Sequence, residues 1–557
     1  MYAVSSEAEW AASTDVSPEH DAARVAANKA FTAFAGDPVV IREVKRLLDE
    51  PGALSEIERR QLERILLQAA ESPGTIPDVV ARRVEAESRQ SSILDGFTFC
   101  LEPGTSGCAK PITANGIDNV LRESRDLAER RKVWEVSKQT GPALRPGLAT
   151  LQGLRNAVAR EMGFPSFFGL QVADYGMTVP EMMALLRSFY DDIAPLYREV
   201  HCWTKHRLAE RYGRPVPKLI PAHWLDNRWS QNWPGVVEGV DLDPYFKGRT
   251  AEWAVRQAEA FYVSMGFPAL PASFWEKSDL YPVPEGSPRK KNTHASAWHM
   301  DLESDVRSLM SVEPDAEWFT TAHHELGHIY YYVSYTRPEV PVLLREGANR
   351  AFHEGIGELI AVAATQVPYL KQVGILPAGK EMDPMSTLLN EALAETVPFI
   401  AWSAGTMSHW EHDLYETNLP PGVWNERWWE YVARFQGVAP PEPRGEDLCD
   451  ACTKTHVNDD PAQYYDYAIA TVLKYQLHEH IARAILRQDP RSCNYHGSRA
   501  AGEFLRGILS KGATEDWRKV IREATGSDLS TRPMLEYFRP LLEHLRRENA
   551  GKDCSWS

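Results

Sequence analysis

The stretch "TVPEMMALLRSFYDDIAPLYREVHCWTKHRLAERYG", Thr178 to Gly213, repeats apolar residues three and four positions apart along most of its length. That spacing predicts a long amphipathic helix with one face in a core. The same period recurs in "VVIREVKRLLDE" (Val39–Glu50), "ERRQLERILLQAAES" (Glu58–Ser72) and "PAQYYDYAIATVLKYQLHEHIARAILRQ" (Pro461–Gln488). Alternating strand patterns are few and short, so the fold class is mainly α.

At 557 residues the chain exceeds the length of several average domains, yet it shows no flexible tether, internal repeat or low-complexity run. Its Pro-rich breaks, "YPVPEGSPRKK" from Tyr281, "LPPGVW" from Leu419 and "VAPPEPRGED" from Val438, are short enough to be surface connections. The expectation is one continuous helical domain over 1–557, divided into two lobes. A net charge of -16 with scattered Lys and Arg argues against nucleic acid as a partner, because phosphate neutralisation needs a basic stripe. The apolar run "IGELIAVAA" from Ile356, among the longest, is too short to span a membrane.

The N-terminal "MYAVSSEAEWAAS" has no apolar signal core. The expected compartment is periplasmic or secreted, with the export signal already absent; a cytoplasmic location is the alternative. Seven cysteines include Cys100 and Cys108 around the loop "LEPGTSG", which a disulfide could close, and the CxxC of Cys449 and Cys452. With no second CxxC, the latter reads as a disulfide or inert thiols rather than a zinc knuckle.

The chemistry concentrates in "TAHHELGHIY", Thr321 to Tyr330, which contains H-E-x-x-H. At 100° per residue, His324 and His328 lie about 40° apart on one helix face and can reach a single ion. His323 and Glu325 each point about 100° away from His324. For His323 that favours packing or hydrogen bonding. For Glu325 it favours a general base that takes a proton from metal-bound water rather than a ligand.

A third ligand is needed, and the "IYYYVS" that follows His328 rules out the metzincin extension. The segment "REGANRAFHEGIGELIAVAA" (Arg345–Ala364) supplies Glu354 if two antiparallel helices joined by the "YTRPEVP" turn bring it to the histidines. The result is a His2Glu zinc site with an open position. Glu358, one turn later, is placed to accept a hydrogen bond from a ligand histidine.

With these residues in place, the chain resembles the angiotensin-converting enzyme family of zinc peptidyl-dipeptidases. The likeness rests on "PAHWLDNRWSQNW", "FWEKSDL", "HASAWHMD", "AHHELGHIYYY", "LREGANRAFHEGIGE", "NERWWEYVARFQGVAPPEPRGE", "KTHV" with "QYYDYA", and "EYFRPLLEHLRREN". The resemblance implies a helical ellipsoid with two lobes around a deep channel, a bound zinc ion, and release of dipeptides from the free C-terminal carboxylate of oligopeptides. It makes His324, His328 and Glu354 the ligands, Glu325 the base and acid, and Glu358 the carboxylate behind the ligands.

Allowing one extra residue after His456, it makes His456 and Tyr467 the oxyanion donors. It gives Gln231, Lys454 and Tyr464 the substrate's terminal carboxylate, and His294 and Ala295 its main chain. Gln231 stands where a mono-carboxypeptidase branch has arginine, which favours dipeptide release over loss of single residues. The rival readings are a broader oligopeptidase that also cuts internally, a single-residue carboxypeptidase, and a peptide-binding protein without catalysis; intact Glu325 argues against the last.

Departures accompany the likeness. Where animal members hold chloride with arginines, this chain has Val432 and Asp466, so chloride is not expected at those sites. Cys100 and Cys108 match a disulfide loop of the family. Cys493 would need a different partner, with Cys449 or Cys452 the candidates. The absence of any N-x-Ser/Thr sequon favours a bacterial over an animal secreted origin.

Overall fold

The computed structural model describes residues 1–50, 52, 54–104, 107–237 and 241–556. The chain divides into two compact units, each assembled from three stretches. One comprises Met1–Thr75, Asp241–Met382 and Ile469–Tyr537; the other comprises Ile76–Val240, Asp383–Ala468 and Phe538–Ser557. The fold is mainly α, and the strands among the described residues form three short two-stranded pairs.

In the second unit the Thr178–Gly213 stretch forms the helix Val179–Tyr212. Thr178 and Glu181 form a reciprocal capping box at its start, and Gly213 ends it in the left-handed conformation at φ 59°. Met182, Leu186, Phe189, Ile193, Leu196, Val200, Thr204 and Leu208 are buried, the three-and-four spacing read from the sequence. Each large apolar side chain among them is worth roughly 1.5–3 kcal/mol of burial.

Pro461–Gln488 is helical over 465–486, starting four residues after Pro461. Thr455–Asp459 is a short helix, Ala462 takes a positive φ of 62°, and the helix Tyr465–Glu479 follows, ending in a π-helical turn at His480–Leu486. Pro461 has no N–H for a continuous ladder, and the Ala462 N–H donates to the buried Glu411 carboxylate at 2.8 Å instead. This break separates His456 from Tyr464 and Tyr467.

Three disulfides lie in the second unit: Cys100–Cys108, Cys202–Cys554 and Cys449–Cys452. The expectation for Cys493 is therefore corrected. It is a buried free thiol in the first unit, and the two cysteines offered to it are bonded to each other. The Cys202–Cys554 bridge ties the C-terminal residues to the long helix, where Lys205 donates to the Ser555 carbonyl at 2.9 Å and Trp556 packs on His201.

The first unit is built around the helices Ala316–Tyr335 and Arg350–Ala364. Asp315 caps the first by accepting from Trp318 N at 2.7 Å, and Asn349 caps the second by accepting from Phe352 N at 3.0 Å. The second helix thus starts later than "REGANRAF" suggests, and the connection runs through a 3-10 turn at Val342–Leu344.

Behind the first helix, Tyr262 stacks on Tyr330 with ring centroids 4.3 Å apart. On another side, Tyr332 donates to the Ala297 carbonyl in the antiparallel pair Ser296–His299 and Val306–Leu309. Glycines set how closely the two helices approach. A Cβ on Gly327 would stand 3.0 Å from the Gly357 Cα, and one on Gly357 would stand 2.8 Å from the His324 ring.

Candidate active site

His324 and His328 project from one face of the Ala316–Tyr335 helix with their Nε2 atoms 3.1 Å apart. Two Zn–N bonds of about 2.0–2.1 Å opening at a tetrahedral angle would place their nitrogens about 3.3 Å apart, so the pair fits one zinc ion. His324, Glu325 and His328 offer ligand atoms that all lie within 4.8 Å of one another. Glu354 Oε2 approaches His324 Nε2 at 3.6 Å, while Glu358 Oε1 lies 3.8 Å from the opposite ring nitrogen, Nδ1. The two glutamates therefore bracket one imidazole.

Burial dominates the electrostatics. It holds His324 below the ordinary histidine range and His328 at about 4, so both rings are neutral, the form that binds metal. Burial, with Glu354 adding, pushes Glu325 up to about 8, and Glu354 is itself raised by burial. Glu325 Oε2 is buried with no hydrogen-bond partner among the described residues, an oxygen whose desolvation nothing in the protein offsets. Burial would raise Glu358 as well, but the Lys474 ammonium leads the charges that hold it below the usual range.

His323 faces away from this cluster. It is buried, with Nδ1 2.7 Å from the Phe319 carbonyl and Nε2 3.2 Å from the Tyr369 hydroxyl. His294 is exposed, its Nδ1 2.8 Å from the Ala295 carbonyl. It is one of the charges acting on Glu354.

Two neighbours of the histidine pair were not singled out from the sequence. His353 is half-buried with Nδ1 3.3 Å from His328 Nδ1, and Lys474 donates to Glu358 Oε2 at 2.8 Å. The one available signal for Lys474 was a lone cation in the otherwise apolar "AIATVLKYQL".

The remaining candidates gather in the second unit from three stretches of chain. Lys454 Nζ donates to Gln231 Oε1 at 2.9 Å and lies 4.4 Å from the Trp229 ring centroid, 5.4 Å from that of Tyr464 and 5.8 Å from that of Trp402. Burial, with Arg228 adding, pulls its ammonium down to about 7. The Tyr464 ring lies 5.0 Å from both the His456 and Tyr467 rings, and Tyr467 Oη is 3.5 Å from His456 Nε2, the outer limit of a hydrogen bond.

Asp466 is buried and accepts from Tyr175 Oη at 2.6 Å, and Val432 is buried in a π-helical turn. Among the described residues no helix is long and apolar enough to cross a membrane.

The family model described as angiotensin-converting enzyme matches residues 1–556. The chain is 29% identical to the angiotensin-converting enzyme of Mesocricetus auratus over 99% of its own length and 42% of that protein's. It is 31% identical to the Bos taurus enzyme over 79% of its own length and 35% of that protein's. It is also 30% identical to the angiotensin-converting enzyme-related protein of Drosophila melanogaster, over 89% of the chain and 81% of the relative. The chain thus spans well under half of the two mammalian proteins and most of the insect one. With a family match across essentially its whole length and a histidine pair spaced for one metal ion, the chain belongs to the angiotensin-converting enzyme family.

Proposed function

We propose that the protein is a zinc peptidyl-dipeptidase, removing dipeptides from the free C-terminus of oligopeptides. The observation that carries this reading is the convergence of the His324 and His328 Nε2 atoms beside the buried carboxylate of Glu325 and the half-buried one of Glu354. His324, His328 and Glu354 would hold zinc, which supplies Lewis acidity to polarise a peptide carbonyl and acidify water. Glu325, raised toward neutrality, takes a proton from the attacking water and delivers it to the leaving amine.

Tyr467 and His456 donate to the oxyanion that develops on the scissile carbonyl. Lys454, Gln231 and Tyr464 take the terminal carboxylate, a role that suits a buried ammonium whose bond to Gln231 is to a neutral partner. His294 and Ala295 pair with the substrate main chain. Chloride has no role at Val432 or Asp466: the first is apolar, and the second is an acidic side chain engaged by Tyr175.

The test is mass spectrometry of the products from one oligopeptide as free acid and as amide, with and without a chelator. Dipeptide release from the acid alone, abolished by chelation, is the expected result. Single-residue losses would make the protein a carboxypeptidase of the other kind, comparable cleavage of both forms an oligopeptidase, and no cleavage a binding protein.

A further inference from the structure

Lys474 occupies a place that a metallopeptidase site does not require. It comes from the helix Tyr465–Glu479, is buried, and donates to Glu358 Oε2 at 2.8 Å. The other carboxylate oxygen of Glu358, Oε1, faces His324 Nδ1 at 3.8 Å, and the Nε2 of that ring points at His328 Nε2 3.1 Å away. The contacts run in series from the Lys474 ammonium to the Glu358 carboxylate to the His324 imidazole to His328.

We infer that Lys474 is a positioning residue for the metal site: by donating to Glu358 Oε2 it holds that carboxylate with Oε1 turned toward His324 Nδ1, so that Nε2 is the nitrogen presented to zinc.

The Glu358 side chain is about one-third exposed, so without the Lys474 donor it can turn away from His324, and an outer carboxylate that is not aimed at the ring no longer fixes the tautomer of a ligand histidine. A glutamate is also long enough to reach His324 with one oxygen while surrendering the other to a cation on a different helix.

The inference rests on the assignment of His324 as a zinc ligand, and the experiment separates the two. Zinc dissociation constants are measured by competition with a chromophoric chelator on the full chain and on His324→Ala, Glu358→Gln, Lys474→Met, Lys474→Gln, Lys474→Arg and Glu358→Gln/Lys474→Met. Circular dichroism of each metal-free variant checks the fold.

Lys474→Met is expected to weaken zinc binding about 10- to 100-fold, the usual cost of losing an outer partner of a ligand. Lys474→Gln should do the same, and Lys474→Arg, which restores a cation, should recover most of the affinity. The double variant should bind no more weakly than Glu358→Gln alone, because the two changes break one line of contacts.

If Lys474→Met and Lys474→Gln fold and bind zinc as the parent does, or if the double variant shows two additive losses, the inference is overturned. If one neutral variant does not fold, the other decides. If His324→Ala also binds as the parent does, the ligand assignment fails with it; if only His324→Ala loses zinc, that assignment stands and the role of Lys474 alone falls.

Discussion

Replacing Lys454 by Met should erase the enzyme's ability to tell a free-acid peptide from its amide. The ammonium is buried, its contacts include the neutral oxygen of Gln231, and three aromatic rings surround it, so a substrate carboxylate would be its natural counter-charge. A hydrogen bond to a charged group contributes about 1.5–3 kcal/mol, which at 1.36 kcal/mol per decade amounts to roughly 10- to 150-fold in kcat/KM. The parent should prefer acid over amide by that factor, and Lys454→Met should bring the ratio close to one by losing activity on the acid while leaving the amide nearly unchanged.

The same lysine fixes a pH dependence. Its pKa is pulled down to about 7, so the charged form prevails below that pH and the preference is full there. Above it the free enzyme must gain a proton at Lys454 to bind the carboxylate, and KM for the acid should rise with pH while KM for the amide stays flat. Initial rates on matched peptides from pH 6 to 9 give both quantities. An acid-to-amide ratio that survives in Lys454→Met would refute the reasoning. So would a ratio that does not fall between pH 7 and 9.

Glu325→Gln should keep one zinc per chain by elemental analysis while kcat drops about 10²- to 10⁴-fold, the usual contribution of a general base; Glu354→Gln should lose the metal instead. Exchanging chloride for another anion at constant ionic strength should leave kcat/KM unchanged, because Asp466 already engages Tyr175 and Val432 carries no charge. Cys554→Ser opens a bridge between residues 352 positions apart and should lower the stability of the second unit by about 2–5 kcal/mol in a denaturant titration, without changing zinc content.

What was legible in the sequence was whatever a local period encodes. The helix spacing of Met182, Leu186, Phe189 and Ile193 announced a buried face, and the four-residue step from His324 to His328 announced a shared ion, because both depend only on the angle per residue. The non-helical start of Pro461–Gln488 was hidden, since the carboxylate that accepts the Ala462 N–H there belongs to Glu411, far away in sequence. Lys474 was hidden for the same reason: nothing near it along the chain says that Glu358 is its partner. Cysteine pairing fared likewise. Cys202 sits in a helical run, and its bond to Cys554 depends on where a residue 352 positions later returns.

The glycines at 327 and 357 show why the period alone undersells this site. Each lowers helix stability by about 1 kcal/mol relative to alanine, so a reading by propensity counts both against the helices that carry His324, His328 and Glu354. Their effect is felt between the helices instead. A Cβ at 357 would overlap the His324 ring at 2.8 Å, and one at 327 would press on the Gly357 backbone at 3.0 Å. Without side chains there, the backbone of the Arg350–Ala364 helix lies directly against the imidazole, and Glu354 and Glu358, one turn apart on that helix, reach its two nitrogens at 3.6 and 3.8 Å. The local loss of helix propensity is offset by a site whose carboxylates are aimed by the backbone, which leaves His324 a single orientation between them.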